Sequence, residues 1–321
     1  MTQASTKGGF IAAFWALLLL LQGCQSVPHN APQADTLLNV PFFAQTEYQC
    51  GPAALASMLS WAGTPTSPES LVNEVWLPGR HGSLATELMA AARARELLVY
   101  PLESFDDIQT ELDAGHPVLM QQNLLFNWWP KWHFAVIVGH GEDGTVYFQH
   151  SAEQNAQAVP AHWLKARWKP GAVAFVALPS GQIPATATPA QLARRIADVS
   201  HSSSSDALAF WKAGSTLFEN NAMLQFGYAN ALNRRGDLSL AGKHYIAAVA
   251  AEPTLAAGWN NLADTLIQLG CPDAARQAVS QALLLKPHND VFLQTRDELP
   301  NSTTGNQCST WTQRINALVN N

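Results

Sequence analysis

The stretch Gln45-Thr-Glu-Tyr-Gln-Cys50-Gly-Pro-Ala-Ala-Leu-Ala-Ser-Met-Leu59 carries the residue types best suited to chemistry. Gly-Pro ahead of an apolar run starts a helix, because the missing N–H of proline costs nothing in the first turn. Cys50 is then at a helix N-terminus, where free amide groups and the positive end of the dipole favour a thiolate. A thiolate is the nucleophile that acyl transfer needs. Gln45, five residues upstream, is close enough to aim its side-chain N–H, together with the Cys50 backbone N–H, at a developing oxyanion. A buried cysteine also serves as a small hydrophobe, so this motif alone leaves nucleophile and core residue as alternatives.

His133 directly precedes Phe134-Ala-Val-Ile-Val-Gly139 and so opens a buried strand. Cysteine first and histidine later is the order of a thiol–imidazole pair in papain-like scaffolds. Of the other histidines, His29, His201, His244 and His288 read as surface residues, and His81, His116, His140 and His162 as structural residues near loops. Hairpin geometry nominates a third group to hold the ring. If Phe134–Gly139 pairs with Thr145–His150 through a two-residue turn within Gly141–Gly144, His133 lies opposite residue 152 or 154. His150 then shares its face, ~7–8 Å away in the nearer register. Asp143, at the turn, is roughly 30 Å along the strand and cannot orient His133. Glu153 and Asn155 remain alternatives if the strand ends early, and a three-residue turn moves the whole arrangement to the other face.

The elements that must position these residues belong to a chain of 321 residues, long enough for two folded units and processing segments. Apolar residues at 47%, with 11 tryptophans and only 13% charged residues, exclude global disorder. Eighteen Lys+Arg against 24 Asp+Glu give a net charge of −6, with no basic run, so nucleic acid is not an expected partner. Four cysteines without a C-x-x-C pair argue against a cysteine-rich zinc site, and no cofactor is expected.

Residues 1–23 read as an address. Phe10–Leu21 is a run of twelve apolar residues, short of the roughly 20 that span a bilayer and suited to a signal-peptide core. The ending Leu21-Gln22-Gly23-Cys24 resembles a bacterial lipobox. That resemblance implies a lipidated Cys24 at the mature N-terminus and an exported, membrane-anchored protein. The alternative is an ordinary secretory signal cut near Gly23. Residues 24–36 are polar and proline-bearing, a tether.

From 37 to 179, helical stretches at Gly51–Ala62, Gly82–Leu97 and Phe105–Ala114 precede strand-like runs at Pro117–Gln121, Phe134–Gly139, Thr145–His150 and Ala172–Leu178. Helices before a mostly antiparallel sheet predict an α+β domain. Residues 180–189 break all periodicity and form a linker. Residues 190–299 are Ala/Leu-rich and repeat at 34 residues: Ala229 recurs as Ala263, Gly236 as Gly270, Ala248 as Ala282 and Pro253 as Pro287. The region resembles tetratricopeptide repeats, an all-α architecture whose concave face commonly takes a protein partner. Ala207–Phe218, with Trp211, reads as the second helix of a degraded copy, interrupted at Ser202–Ser205. Residues 300–321 form a tail, and an oxidised Cys271–Cys308 pair would tie it to the last repeat of an exported chain.

Val40-Pro-Phe-Phe-Ala-Gln45, Cys50-Gly-Pro-Ala-Ala-Leu, Gly82-Ser-Leu and His133-Phe-Ala-Val-Ile-Val-Gly139, in that order over about 140 residues, resemble the bacteriocin-processing, double-glycine-leader cysteine peptidases, a papain-like family. The resemblance implies Cys50 as nucleophile, His133 as general base and acid, and Gln45 in the oxyanion hole. The family usually has Asp-Pro where this chain has His150-Ser151. A neutral histidine there brings no negative charge to an imidazolium, which implies slower or more pH-sensitive catalysis. Trp128, Trp129 and Trp132 either wall an extended substrate or belong to the core. The chain is therefore expected to be an exported, lipid-anchored cysteine peptidase acting on a peptide or protein, with helical repeats that recruit a substrate or partner. Another acyl transfer, or a peptide-binding module without catalysis, are the alternatives.

Overall fold

The computed structural model describes residues 34–45, 49–80, 82–168, 171–202, 207–300 and 308–319. The address segment with Cys24, most of the tether, and residues 203–205 of the expected interruption lie outside them.

In chain order the elements are β1 (Thr36–Leu37), α1 (Cys50–Trp61), α2 (Pro68–Val75), β2 (Trp76–Leu77), β3 (Gly82–Ser83), α3 (Ala85–Arg93), β4 (Leu98–Pro101), α4 (Asp106–Asp113), β5 (Val118–Asn123), β6 (Trp132–His140), β7 (Val146–His150), β8 (Gln157–Pro160), α5 (Ala161–Arg167) and β9 (Ala174–Leu178). Eight helices follow: α6 (Pro189–Ser202), α7 (Leu208–Leu217), α8 (Ala222–Arg234), α9 (Leu238–Ala251), α10 (Ala256–Gln268), α11 (Pro272–Leu285), α12 (Asp290–Asp297) and α13 (Ser309–Val319). The architecture is an α+β domain followed by an all-α region.

The main sheet runs β4-β9-β5-β6-β7-β8, and every pairing is antiparallel. β1 pairs with the far end of β6, at Gly139 and His140, and a Cβ on Gly139 would run into the Thr36 carbonyl. Only glycine allows that approach. Strand side chains alternate between faces, and the two faces bury different cores. Leu119, Phe134, Val136, Val138, Phe148 and Phe175 pack under α1, α2 and α3. Val118, Met120, Ile137, Tyr147 and Val176 form the other layer, with Ile108 and Leu112 of α4 and Leu192 and Ile196 of α6.

α1 is apolar all round, as its composition requires of a central helix, and Gly51 to Leu59 are all buried. The helix expected over 82–97 is shorter. Gly82 and Ser83 pair with Leu77 and Trp76 as β3, and α3 starts only at Ala85.

The stretch 180–189 is an ordered joint rather than a loose tether. The buried Glu111 carboxylate accepts from Thr186 N (2.8 Å) and Thr186 Oγ1 (2.6 Å), and Thr188 N donates to the Tyr100 hydroxyl (3.0 Å). α6 then packs on β4, so the second face of the sheet and the helical region share one core. α8, α10 and α12 begin 34 residues apart, as do α9 and α11. Trp211 of α7 lies so close on Gly227 of α8 that a side chain there would collide with the indole. Cys271 and Cys308 form a disulfide (Cα–Cα 5.4 Å) that holds α13 beside α11.

Candidate active site

Cys50 is the first residue of α1, and its sulfur lies where the helix amides point. No side chain caps this terminus and no acidic residue occupies its first turn, so the positive end of the helix is left for the thiol and for whatever enters beside it. Burial pushes the Cys50 thiol above its ordinary value, while the amides of Phe134, Gly51 and Cys50 itself pull the other way without overcoming it. Desolvation penalises the charged form, so the free thiol is protonated at neutral pH.

Gly51 is demanded by close packing, since a Cβ there would strike the side chain of Ser83. Ser83 Oγ is itself buried with no hydrogen-bond partner among the described residues. Cys50 and Ser83 open into a cleft of about 1120 Å³, whose walls include Gln45, Gln121, Trp132 and Glu153. Gln45 is fixed twice: its backbone N–H donates to Ala152 O (2.8 Å), and its side-chain Nε2 donates weakly to Phe134 O (3.5 Å). The amide side chain thus stays on the rim beside the thiol.

The two histidines are placed differently. Gln122 stands opposite His133 and Gln121 opposite Phe134 across β5 and β6. Phe134 faces α1, so alternation carries the His133 ring toward the opposite layer, where Arg167 Nη1 donates to Gln122 Oε1 (3.4 Å). Burial, with Arg167 and Lys131 nearby, pushes His133 down to about 4. Among the described residues, His133 and Cys50 make no hydrogen bond with each other. The structure brings the Cys50 sulfur to the backbone of the residue after His133, and not to its ring.

His150 was expected on the face of His133. It pairs with Val136 and lies on the face of Cys50 instead, because β6 and β7 shift register between Ile137 and Gly139. His150 is only 4% exposed. Its Nε2 donates to Val40 O (3.1 Å), and its Nδ1 accepts from Ala156 N (3.4 Å). Both nitrogens are committed to backbone, with none left to hold another imidazole. Burial lowers the His150 pKa against a smaller opposing pull from the Val40 carbonyl. Trp132 contributes to the cleft wall, and Trp128 and Trp129 are exposed outside it rather than in the core.

Sequence reasoning missed the Phe134 amide as a partner of the sulfur and Ser83 as the neighbour of the helix tip. Only the glycine after Cys50 signalled the second. Among the described residues no cluster of His, Cys, Asp or Glu could hold a metal ion.

Residues 37–171 match the model of the Peptidase_C39 like family. No curated protein sequence matches the chain. Among solved structures, the chain is similar to a double glycine motif protease from an AMS/PCAT transporter in complex with the leader peptide, at 20% identity and TM-score 0.35, over 46% of this chain and 97% of that one. It is similar to the peptidase domain of Streptococcus ComA, a bi-functional ABC transporter, at 17% identity and TM-score 0.35, over 44% and 98%. A third similarity is to the first TPR of Spaghetti (RPAP3) bound to an HSP90 peptide, at 18% identity and TM-score 0.28, over 29% and 74%.

Proposed function

We propose that the α+β domain, matched along residues 37–171 by the Peptidase_C39 like family model, hydrolyses a peptide bond with Cys50 as the nucleophile. The observation that carries this reading is the uncapped tip of α1, with its sulfur open to a cleft rimmed by Gln45. A peptide laid in that cleft would present a carbonyl carbon to the sulfur and its oxygen to the Cys50 amide and the Gln45 side chain. Attack by sulfur forms a tetrahedral intermediate, the amine leaves with a proton from the general acid, and water releases the acyl group.

His133 is the acid and base of this proposal. The pairing of β6 with β7 stops at Val136 and His150, so β6 at residues 132–135 has no β7 partner. The ring would come round that edge toward the thiol when a peptide fills the cleft, in line with catalytic hydrogen bonds that tighten only in the bound complex. We further propose that Cys24 is lipidated, that the mature chain is exported, and that the helical repeats recruit a protein substrate or partner.

A second reading, a peptide-binding domain without turnover, is favoured by one observation: the His133 ring and the Cys50 sulfur lie on different sides of β6. Iodoacetamide separates the two. In the peptidase reading, Cys50 is alkylated at neutral pH once a peptide mixture is present, and His133→Ala slows that alkylation about a hundredfold or more, the low end of what a positioned base contributes. Equal, slow alkylation of both proteins points to the binding domain.

A further inference from the structure

The tip of the β5–β6 hairpin is an ordered loop that turns its apolar side chains outward. The Asn123 side chain holds it from within: its Oδ1 accepts from Leu125 N and Lys131 N (both 3.0 Å), and its Nδ2 donates to Phe126 O (3.3 Å). Leu124 N donates to Lys131 O and Trp129 N to Phe126 O. With the polar backbone satisfied internally, Phe126, Trp128 and Trp129 are 62%, 78% and 67% exposed. Phe126 stacks on Trp128, and Trp129 meets Trp128 edge-on. Large aromatics held out in water by a rigid loop mark a contact surface.

The charge around the loop selects the partner. From Ala114 to Gly141 the chain has no Asp or Glu, although its net charge is −6. The nearby cations are exposed Lys131 at the base of the loop and half-buried Arg167 at the end of α5, which lies over the ring of exposed Trp163. Arg167 Nη1 donates to Gln122 Oε1 (3.4 Å), and Gln122 pairs with His133, which places the end of α5 beside the base of the loop. Glu153 on the cleft wall is the carboxylate nearest the loop, and the loop itself, tryptophans with a lysine at its base and an arginine beside it, has the composition of a membrane–water interface. The twelve residues from Gln25 to Thr36 span at most roughly 40 Å at ~3.3 Å per residue. β1, where the tether arrives, pairs with the end of β6 remote from Trp132, roughly 26 Å away at that same rise. A chain held at Cys24 can therefore still lay this loop on the same bilayer.

We infer that Phe126, Trp128 and Trp129 insert into the interface of an anionic lipid surface, setting the mouth of the cleft against the membrane. The inference draws on the anchored reading of Cys24 but is tested apart from it. The full chain is mixed with an excess of phosphatidylcholine and phosphatidylglycerol vesicles, with ordinary or brominated acyl chains, and tryptophan emission is read for the wild type and for W128F/W129F. Phenylalanine keeps the loop apolar and removes its fluorophores. Brominated lipid is expected to quench the wild type, and the double variant to lose the greater part of that quenching. Equal quenching of the two proteins overturns the inference. So does a lipid-independent blue shift of the wild type, lost in the variant, that follows added peptide or rising protein concentration and would assign the loop to substrate or to a second copy. Co-sedimentation of Cys24→Ser with vesicles at low lipid reports on the anchor alone.

Discussion

Val136 stands opposite His150 across β6 and β7, and this pairing separates His150 from His133. At the turn end, His140 faces Tyr147 and Gly139 faces Phe148, a register that would set His150 opposite Ile137, on the face of His133. The irregularity at Val138 removes one residue from the count. A slip of one residue moves every later side chain to the other face. His150 therefore joins the layer under α1 and spends both ring nitrogens on Val40 and Ala156.

His150 then works as a latch that ties the segment before α1 to the segment after β7. His150→Ala should cost about 1–3 kcal/mol, the penalty for leaving buried backbone groups unpaired. Urea unfolding checks the stability, and iodoacetamide kinetics at Cys50 should stay unchanged. A variant of full stability whose thiol reactivity collapses would give His150 a chemical role instead.

Acid should destabilise the fold through both histidines. His133 is lowered to about 4, and His150 is lowered as well, both by burial. Above the ordinary value of roughly 6.5 both are neutral in native and unfolded chains and contribute no pH dependence. As pH falls from there toward 4, the unfolded chain takes up a proton that native His133 refuses, so stability drops and the loss levels off below 4. Urea midpoints across this window should fall less steeply for His133→Gln than for the wild type. Parallel slopes would place His133 in water.

The disulfide should matter locally. It closes a loop of 37 residues in sequence, and reduction should cost about 2–4 kcal/mol. The amides of α13 should then exchange faster, while those of α1 and β6 keep their protection. Hydrogen exchange with and without reductant checks both.

The joint between the sheet and the helices depends on one buried carboxylate. Burial raises the Glu111 pKa, but hydrogen bonds from His116 and Thr186 outweigh it and leave the group below its ordinary value, hence charged. Glu111→Gln keeps the shape and loses the charge, at an expected cost of about 1–3 kcal/mol. Faster exchange at the Thr186 and Thr188 amides would locate the loss at the joint. Protection unchanged there would show that the Tyr100 hydroxyl alone suffices.

Much of the fold was legible where one periodicity dominates. The Cys-Gly-Pro start of α1, the apolar run of β6 and the 34-residue spacing of α8 to α12 all stood in the sequence. β4 was hidden because Leu98-Val-Tyr-Pro101 follows an amphipathic helix without a turn signal beyond Glu96, which adopts positive φ. α2 was overlooked despite its signal: Ser67 accepts from Ser70 N as an N-cap, with Pro68 at the first helical position. β8 is four residues with only Val159 buried, too little pattern to read. Around the cleft, the placement of Cys50 at a helix tip and of Gln45 beside it was legible from spacing. The facing of His133 and His150 was not, because it turns on one irregular residue, Val138, whose carbonyl accepts from Leu38 N in a distant segment.

The most direct test of the central claim is cleavage of a peptide library by the wild-type chain and by Cys50→Ala, read by mass spectrometry, with unfolding curves to show that both proteins are folded. The account expects new peptide termini with the wild type and none with the variant, at equal stability. Cleavage that survives in Cys50→Ala, or a folded wild type that binds peptides and leaves every one intact, would contradict it.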